Sequence, residues 1–104
     1  MKNIILTLLT STALFSASGI VNTDNSWGCI SESKNTELND AVINKDKQAQ
    51  NYLLSYSCEV LHKGQKVTII KKDKYGLSMK IRVYPKNRRP KEIYIEPYYV
   101  DEEK

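Results

Sequence analysis

The stretch LSMKIRV, residues 77–83, alternates strictly between apolar and polar side chains, and this period of two predicts a β-strand with one buried face. Two stretches with similar alternation and two shorter apolar ones complete the predicted set: residues 66–70, 92–96, 58–61 and 98–100. Turn-forming residues separate them, at 63–65, 72–76 and 85–90. Five short strands in about 43 residues cannot make two full sheets, so we expect a small, strongly bent barrel.

Upstream of these strands the apolar residues recur with a helical period, which predicts a helical hairpin over residues 36–57. Asn35 or Thr36 is placed to cap the first helix, and Asp46 to cap the second. The expected apolar faces are Leu38, Ala41 and Val42 in the first helix and Ala49, Tyr52, Leu53 and Tyr56 in the second. Helices this short are marginal alone, so the hairpin must pack on the strands.

The first eighteen residues have the layout of a secretory signal peptide. Lys2 precedes an apolar core over residues 4–15, and small residues at 16–18 favour cleavage after Ser18. A membrane anchor is the alternative, but a spanning helix needs about 20 mostly apolar residues, so we expect no membrane span after cleavage. A third interpretation, lipidation of Cys29, would leave Cys58 without a partner in an oxidising compartment.

Export favours a disulfide between the two cysteines of the chain, Cys29 and Cys58. Two reduced, buried cysteines would better suit a cytosolic protein. A bridge that closes a loop of about 30 residues contributes on the order of 3.5 kcal/mol. That is a large share of the stability of a domain this small.

Three segments of the C-terminal half carry a resemblance to a known family. Residues 61–69, LHKGQKVTI, Gly76 with the strand that follows it, and IYI at 93–95 with YYV at 98–100 resemble bacterial SH3-like domains. The whole layout is similar to small exported proteobacterial proteins of unknown role, in which a cysteine, a helical hairpin and a second cysteine precede such a barrel. The resemblance implies an α+β fold, with an N-terminal helical hairpin packed on a five-stranded SH3-like β-barrel.

The predicted organisation has five parts: a signal peptide (1–18), a flexible leader with Trp27 and Cys29 (19–35), the hairpin (36–57), the barrel (58–100) and an acidic tail (101–104). Charge is divided unevenly between them. Residues 59–104 hold twelve Lys and Arg against seven Asp and Glu, a balance of +5. A basic half outside the cytoplasm suggests an acidic partner, and we expect no nucleic acid there. Ordinary solubility charge is the alternative.

The sequence contains no pattern typical of a catalytic centre. His62 is the single histidine and lies at a turn, so it cannot complete a zinc site, which needs three or four ligands. There is no glycine-rich phosphate loop and no nucleophile in a strand-turn-helix motif. We therefore expect a protein that is not an enzyme and holds no metal or cofactor.

Two sets of residues are candidates for binding a partner. The first is the basic loop, whose guanidinium and ammonium groups can bind carboxylates or phosphates: Lys86, Arg88, Arg89 and Lys91. The second is a set of tyrosines, a residue type favoured at interfaces: Tyr75, Tyr94, Tyr98 and Tyr99. The alternatives are a solvated hairpin tip for the loop and packing roles for the tyrosines.

These features favour a periplasmic or secreted binding module for a protein partner in the cell envelope. A periplasmic inhibitor or immunity protein against a toxin or wall hydrolase fits the same small size, export and disulfide. A peptidoglycan-binding module is the third hypothesis.

Overall fold

A computed structural model describes residues 16–73 and 75–103 of the chain. The apolar core of the predicted signal peptide, residues 4–15, lies outside the described residues. Two helices follow two strands, and five strands follow the helices. The elements are β1 (Ala17–Val21), β2 (Ser26–Cys29), α1 (Glu32–Ile43), α2 (Lys47–Tyr56), β3 (Cys58–Leu61), β4 (Lys66–Lys72), β5 (Met79–Val83), β6 (Lys91–Ile95), a 3₁₀ helix (Pro97–Tyr99) and β7 (Val100–Glu102).

The strands form one open antiparallel sheet in the order β3-β2-β6-β5-β4-β1-β7. The prediction of a five-stranded barrel with an N-terminal helical hairpin is therefore wrong. Five strands do lie within residues 58–102, but they do not form a sheet by themselves. β2 lies between β3 and β6, and β1 lies between β4 and β7. The hairpin is an insertion after two strands rather than the N-terminal element.

The two unpredicted strands are too short to show a period. β1 reads ASGIV and β2 reads SWGC, each with a glycine in its interior. Glycine weakens an isolated strand, so pairing with neighbours must hold these segments in place. Residues 19–35, interpreted from the sequence as a flexible leader, thus supply β2 and most of β1. The first two residues of β1, Ala17 and Ser18, belong to the predicted signal peptide, so the predicted cleavage after Ser18 falls within this strand.

The 3₁₀ helix, β5 and β7 also differ from the sequence prediction. Pro97, which donates no backbone hydrogen bond, starts the 3₁₀ helix where a last strand was expected, and β7 follows it. β5 begins at Met79 because the turn before it extends further than predicted. The Asp73 amide donates to the Ser78 carbonyl at 2.9 Å, and Leu77 is left 74% exposed.

The sheet curves around the main hydrophobic core. Side chains from both edge strands, Leu61 on β3 and Val100 on β7, belong to the same buried cluster. The other members are Val21, Val67, Ile69, Met79, Ile81, Val83, Ile93 and Ile95. In a flat sheet of seven strands the two edge strands would lie far apart. The sheet must therefore bend for Leu61 and Val100 to reach the same core.

The helical hairpin packs on the outer face of β2 and β3 through a second, smaller core. Leu38 of α1 and Leu53 of α2 contact the disulfide between Cys29 and Cys58, and Trp27 packs against this cluster. The predicted disulfide is confirmed. Its cysteines stand directly opposite each other on β2 and β3. The bridge therefore joins the strand that precedes the helical hairpin to the strand that follows it.

The start of α1 lies upstream of the predicted one. Ser31 caps it, accepting a hydrogen bond from the Lys34 amide at 3.1 Å, whereas the prediction placed the cap at Asn35 or Thr36. Asn35 is instead buried and donates to the Tyr94 carbonyl at 3.0 Å, which ties α1 to β6. Asparagine is a common N-cap residue, so Asn35 looks like a cap in the sequence, but its side chain docks α1 on β6 instead.

The apolar faces of the two helices are narrower than expected. Val42, Tyr52 and Tyr56 are 38%, 62% and 74% exposed, because the second core is small: it buries Leu38 and Leu53, and Leu54 packs against it. Among the described residues, no helix has both the length and the apolar character needed to cross a membrane.

Replacing Cys29→Ser should lower the free energy of unfolding by about 3.5 kcal/mol, because the unfolded chain loses a covalent loop of about 30 residues. Urea denaturation of the variant and the parent protein measures the difference. A reductant should destabilise the parent to the same level and leave the variant unchanged. Amide exchange in α1 and α2 should rise before that in β4 and β5. A parent protein equally stable in reductant would contradict this account.

Gly28→Ala should destabilise the protein by about 1–3 kcal/mol through overpacking. A Cβ at position 28 would lie 2.6 Å from Ile93 Cδ1 and 3.1 Å from the Tyr94 carbonyl oxygen. Adding Ile93→Val removes Cδ1, so the double variant should be more stable than the sum of the two single changes implies. Strict additivity in urea denaturation would show that the clash is not with Ile93.

Candidate functional site

The predicted basic loop connects β5 to β6 and is solvent-exposed. Lys91 starts β6 and forms an ion pair with Glu59. Lys86, Arg88 and Arg89 form no salt bridge within the part of the chain that the structure describes. Three cations of the loop are therefore available to an external anion, and the fourth is already neutralised.

The predicted tyrosines do not form one surface. Tyr75 is 75% exposed in the turn between β4 and β5. Tyr94 lies on the outer face of β6, where the Lys80 ammonium is 5.8 Å from its ring centroid. Only Tyr98 and Tyr99, neighbours on the 3₁₀ helix, are brought together, with ring centroids 4.5 Å apart.

Tyr98 and Tyr99 form an aromatic cluster with Trp27 of β2. The Trp27 and Tyr99 ring centroids are 6.0 Å apart and tilted by 55°. The Trp27 Nε1–H donates to Asn39 Oδ1 of α1 at 3.0 Å, which fixes the indole orientation. Because sheet, helix and 3₁₀ helix all contribute, the cluster exists only in the folded protein.

This cluster forms one wall of a groove of about 280 Å³ between α1 and the 3₁₀ helix, here called the aromatic groove. Its lining residues are Trp27, Asn39, Val42, Ile43, Glu96, Tyr98 and Tyr99. Ile43 and Tyr98 are 75% and 65% exposed. Apolar and aromatic side chains held at the surface around a concavity, with two polar groups among them, suit an apolar side chain of a partner.

A second concavity lies between the end of α2 and the basic loop. It has a volume of about 200 Å³ and is here called the basic cleft. Its lining residues are Ile30, Leu54, Ser55, Tyr56, Ser57, Cys58, Glu59, Arg88, Lys91 and Ile93. The cleft and the aromatic groove share no residue, and each lies against one helix of the hairpin.

The outer face of β5 and β6 carries a charge network of its own. Glu92 accepts from Arg82 at 2.9 Å and forms an ion pair with Lys80 at 3.3 Å. The hydrogen bond from Arg82, followed by that from Lys80, lowers the pKa of Glu92. The carboxylate is thus shared by two cations, and the network links β5 to β6 on the exposed sheet surface.

Ile43 and Asn39 are not among the site residues predicted from the sequence, and Trp27 is predicted only as part of the flexible leader. A signal for Ile43 exists in the sequence, because it is a large apolar residue off the predicted apolar face of α1. Trp27 does pack against the second core, but its ring also contacts Tyr99. That contact joins residues 72 positions apart, so no local pattern could reveal it.

No group of three His, Cys, Asp or Glu side chains that could hold a metal ion occurs in residues 16–73 and 75–103. Comparison with known protein families, with curated proteins and with solved structures finds no match to this chain. The resemblance of residues 58–100 to SH3-like domains stays a prediction.

Glu96→Gln should lower the pKa of the Tyr98 hydroxyl toward its usual value of 10.0. The hydrogen bond with Glu96, and then that with Tyr99, favours the protonated phenol and raises its pKa. Tyrosinate absorbance or NMR in an alkaline titration measures the shift. Glu92→Gln, remote from the groove, is the matched control and should leave Tyr98 unchanged. Equal effects of both variants would contradict the assignment.

Proposed function

We propose that this chain is an exported, non-catalytic binding module that holds a protein partner of the cell envelope in its aromatic groove. The observation that carries the proposal is the Trp27–Tyr99–Tyr98 cluster, which lies at the surface beside exposed Ile43. Tryptophan and tyrosine dominate the binding energy of protein interfaces when they lie centrally in an apolar patch. The groove combines this patch with the amide of Asn39 and the carboxylate of Glu96, which can orient a bound backbone.

Export to the periplasm or the medium is supported by two features of the chain. The first eighteen residues have the layout of a signal peptide. The Cys29–Cys58 disulfide is typical of proteins outside the cytoplasm. The non-catalytic role is supported by the isolated His62, which is exposed in the turn after β3.

Photo-crosslinking tests the proposal. A benzophenone amino acid replaces Tyr98 in the protein produced in its native cells, and a matched control carries it in place of Tyr75. Tyr75 has a similar exposure, 75% against 65%, but lies in the turn between β4 and β5, outside both concavities. We expect one dominant protein adduct from position 98 and much less from position 75. Equal adducts from both positions, or none from position 98, would reject the groove as the binding site.

The identified partner then allows a measurement of affinity. Tyr98→Ala should weaken binding by about 2 kcal/mol, or roughly thirtyfold in Kd, whereas Tyr75→Ala should leave Kd unchanged. A toxin or wall hydrolase that the module inactivates would identify it as an inhibitor. Sedimentation of the purified module with wall sacs, lost in Tyr98→Ala, would replace the protein partner by peptidoglycan.

A further inference from the structure

The basic cleft presents positive charge that the described chain does not neutralise. Lys91 is paired with Glu59, so the unpaired cation of the cleft wall is Arg88. Lys86 and Arg89 stand beside it in the same exposed loop. The planar guanidinium of Arg88 can bind a carboxylate through two parallel hydrogen bonds.

Two exposed apolar side chains stand among the polar groups that line the cleft. Tyr56 at the end of α2 is 74% exposed, and Ile30 after β2 is 57% exposed. A ligand that contacts both Arg88 and these apolar side chains must offer an anion and an apolar group. The volume of about 200 Å³ suits one large apolar side chain.

We propose that the basic cleft is a second binding site, which takes an acidic segment of a protein with an apolar side chain among its carboxylates. Carboxylates would bind Arg88 and its loop neighbours, and the apolar side chain would lie between Tyr56 and Ile30. A phospholipid surface or a phosphate polymer presents anions, but neither carries an apolar group directly beside them that could enter the cleft. The inference goes beyond the aromatic groove and does not depend on it.

Selection from a random peptide library tests this site directly. The probe is a phage-displayed library of random peptides, panned against the disulfide-intact protein. We expect enriched sequences in which Asp and Glu flank one Leu, Ile, Phe or Tyr. A synthetic peptide of the enriched sequence is then titrated by fluorescence anisotropy. Its affinity should fall with salt, because exposed charge pairs are screened. Failure to enrich acidic sequences would overturn the proposal.

Matched charge reversals separate the cleft from general electrostatics. Arg88→Glu should weaken the peptide by about tenfold or more, since it replaces attraction by repulsion at the contact. Lys47→Glu makes the same change in net charge at an exposed position in the first turn of α2, where an acidic residue is tolerated. It should leave binding nearly unchanged. Equal losses in the two variants would overturn the proposal.

Two further measurements complete the test. Tyr56→Ala should weaken the peptide, and Tyr98→Ala should not, so failure of this site is distinguishable from failure of the aromatic groove. Melting temperatures of all variants should match the parent, because every changed side chain is exposed. Binding to phosphatidylglycerol vesicles that Arg88→Glu abolishes, without binding of acidic peptides, would assign the cleft to a lipid surface instead.

Discussion

The placement of β2 between β3 and β6 is the constraint on which the rest of the structure depends. Without β2, the strand that follows the helical hairpin would have no neighbour in the sheet. Cys29 of β2 stands opposite Cys58 on one side and opposite Tyr94 on the other, so one residue joins both pairings and the disulfide. Gly28 beside it lacks a side chain, which lets Ile93 fill the space above the strand. Backbone pairing, covalent bridge and core packing therefore converge on two consecutive residues.

This convergence also determines where the helical hairpin lies. A hairpin of two short helices with one buried leucine from each cannot hold its position by hydrophobic burial alone. The disulfide fixes both ends of the inserted segment, and the Asn35 side chain ties α1 to the Tyr94 carbonyl of β6. The result is a small second core that leaves Val42, Ile43, Tyr52 and Tyr56 at the surface. Incomplete burial of the hairpin thus supplies Val42 and Ile43 to the aromatic groove and Tyr56 to the basic cleft.

Local patterns in the sequence predict the strand in LSMKIRV, the two-helix segment and the disulfide, because each depends on residues close in sequence or on a single possible pairing. They fail for β1 and β2, whose five and four residues show no period and are held by partners far along the chain. The barrel prediction fails for the same reason, since strand number and order depend on those two pairings. The aromatic groove follows the same division between local and long-range contacts. Tyr98 and Tyr99 are recognisable as an aromatic pair in the sequence, whereas Trp27 joins them only through the tertiary fold.

The two concavities lie at opposite ends of one rigid element. β6 begins at Lys91, in the wall of the basic cleft, and Glu96, in the wall of the aromatic groove, follows its last residue. At about 3.4 Å per residue, these ends are roughly 17 Å apart. A partner that occupies both concavities must present an acidic segment and an apolar anchor at that spacing. Once the first contact has formed, the second forms at a high effective concentration. The disulfide holds the helical hairpin against the sheet, so the distance between the two concavities is fixed before a partner binds. A partner whose two groups have a different spacing gains from one contact only.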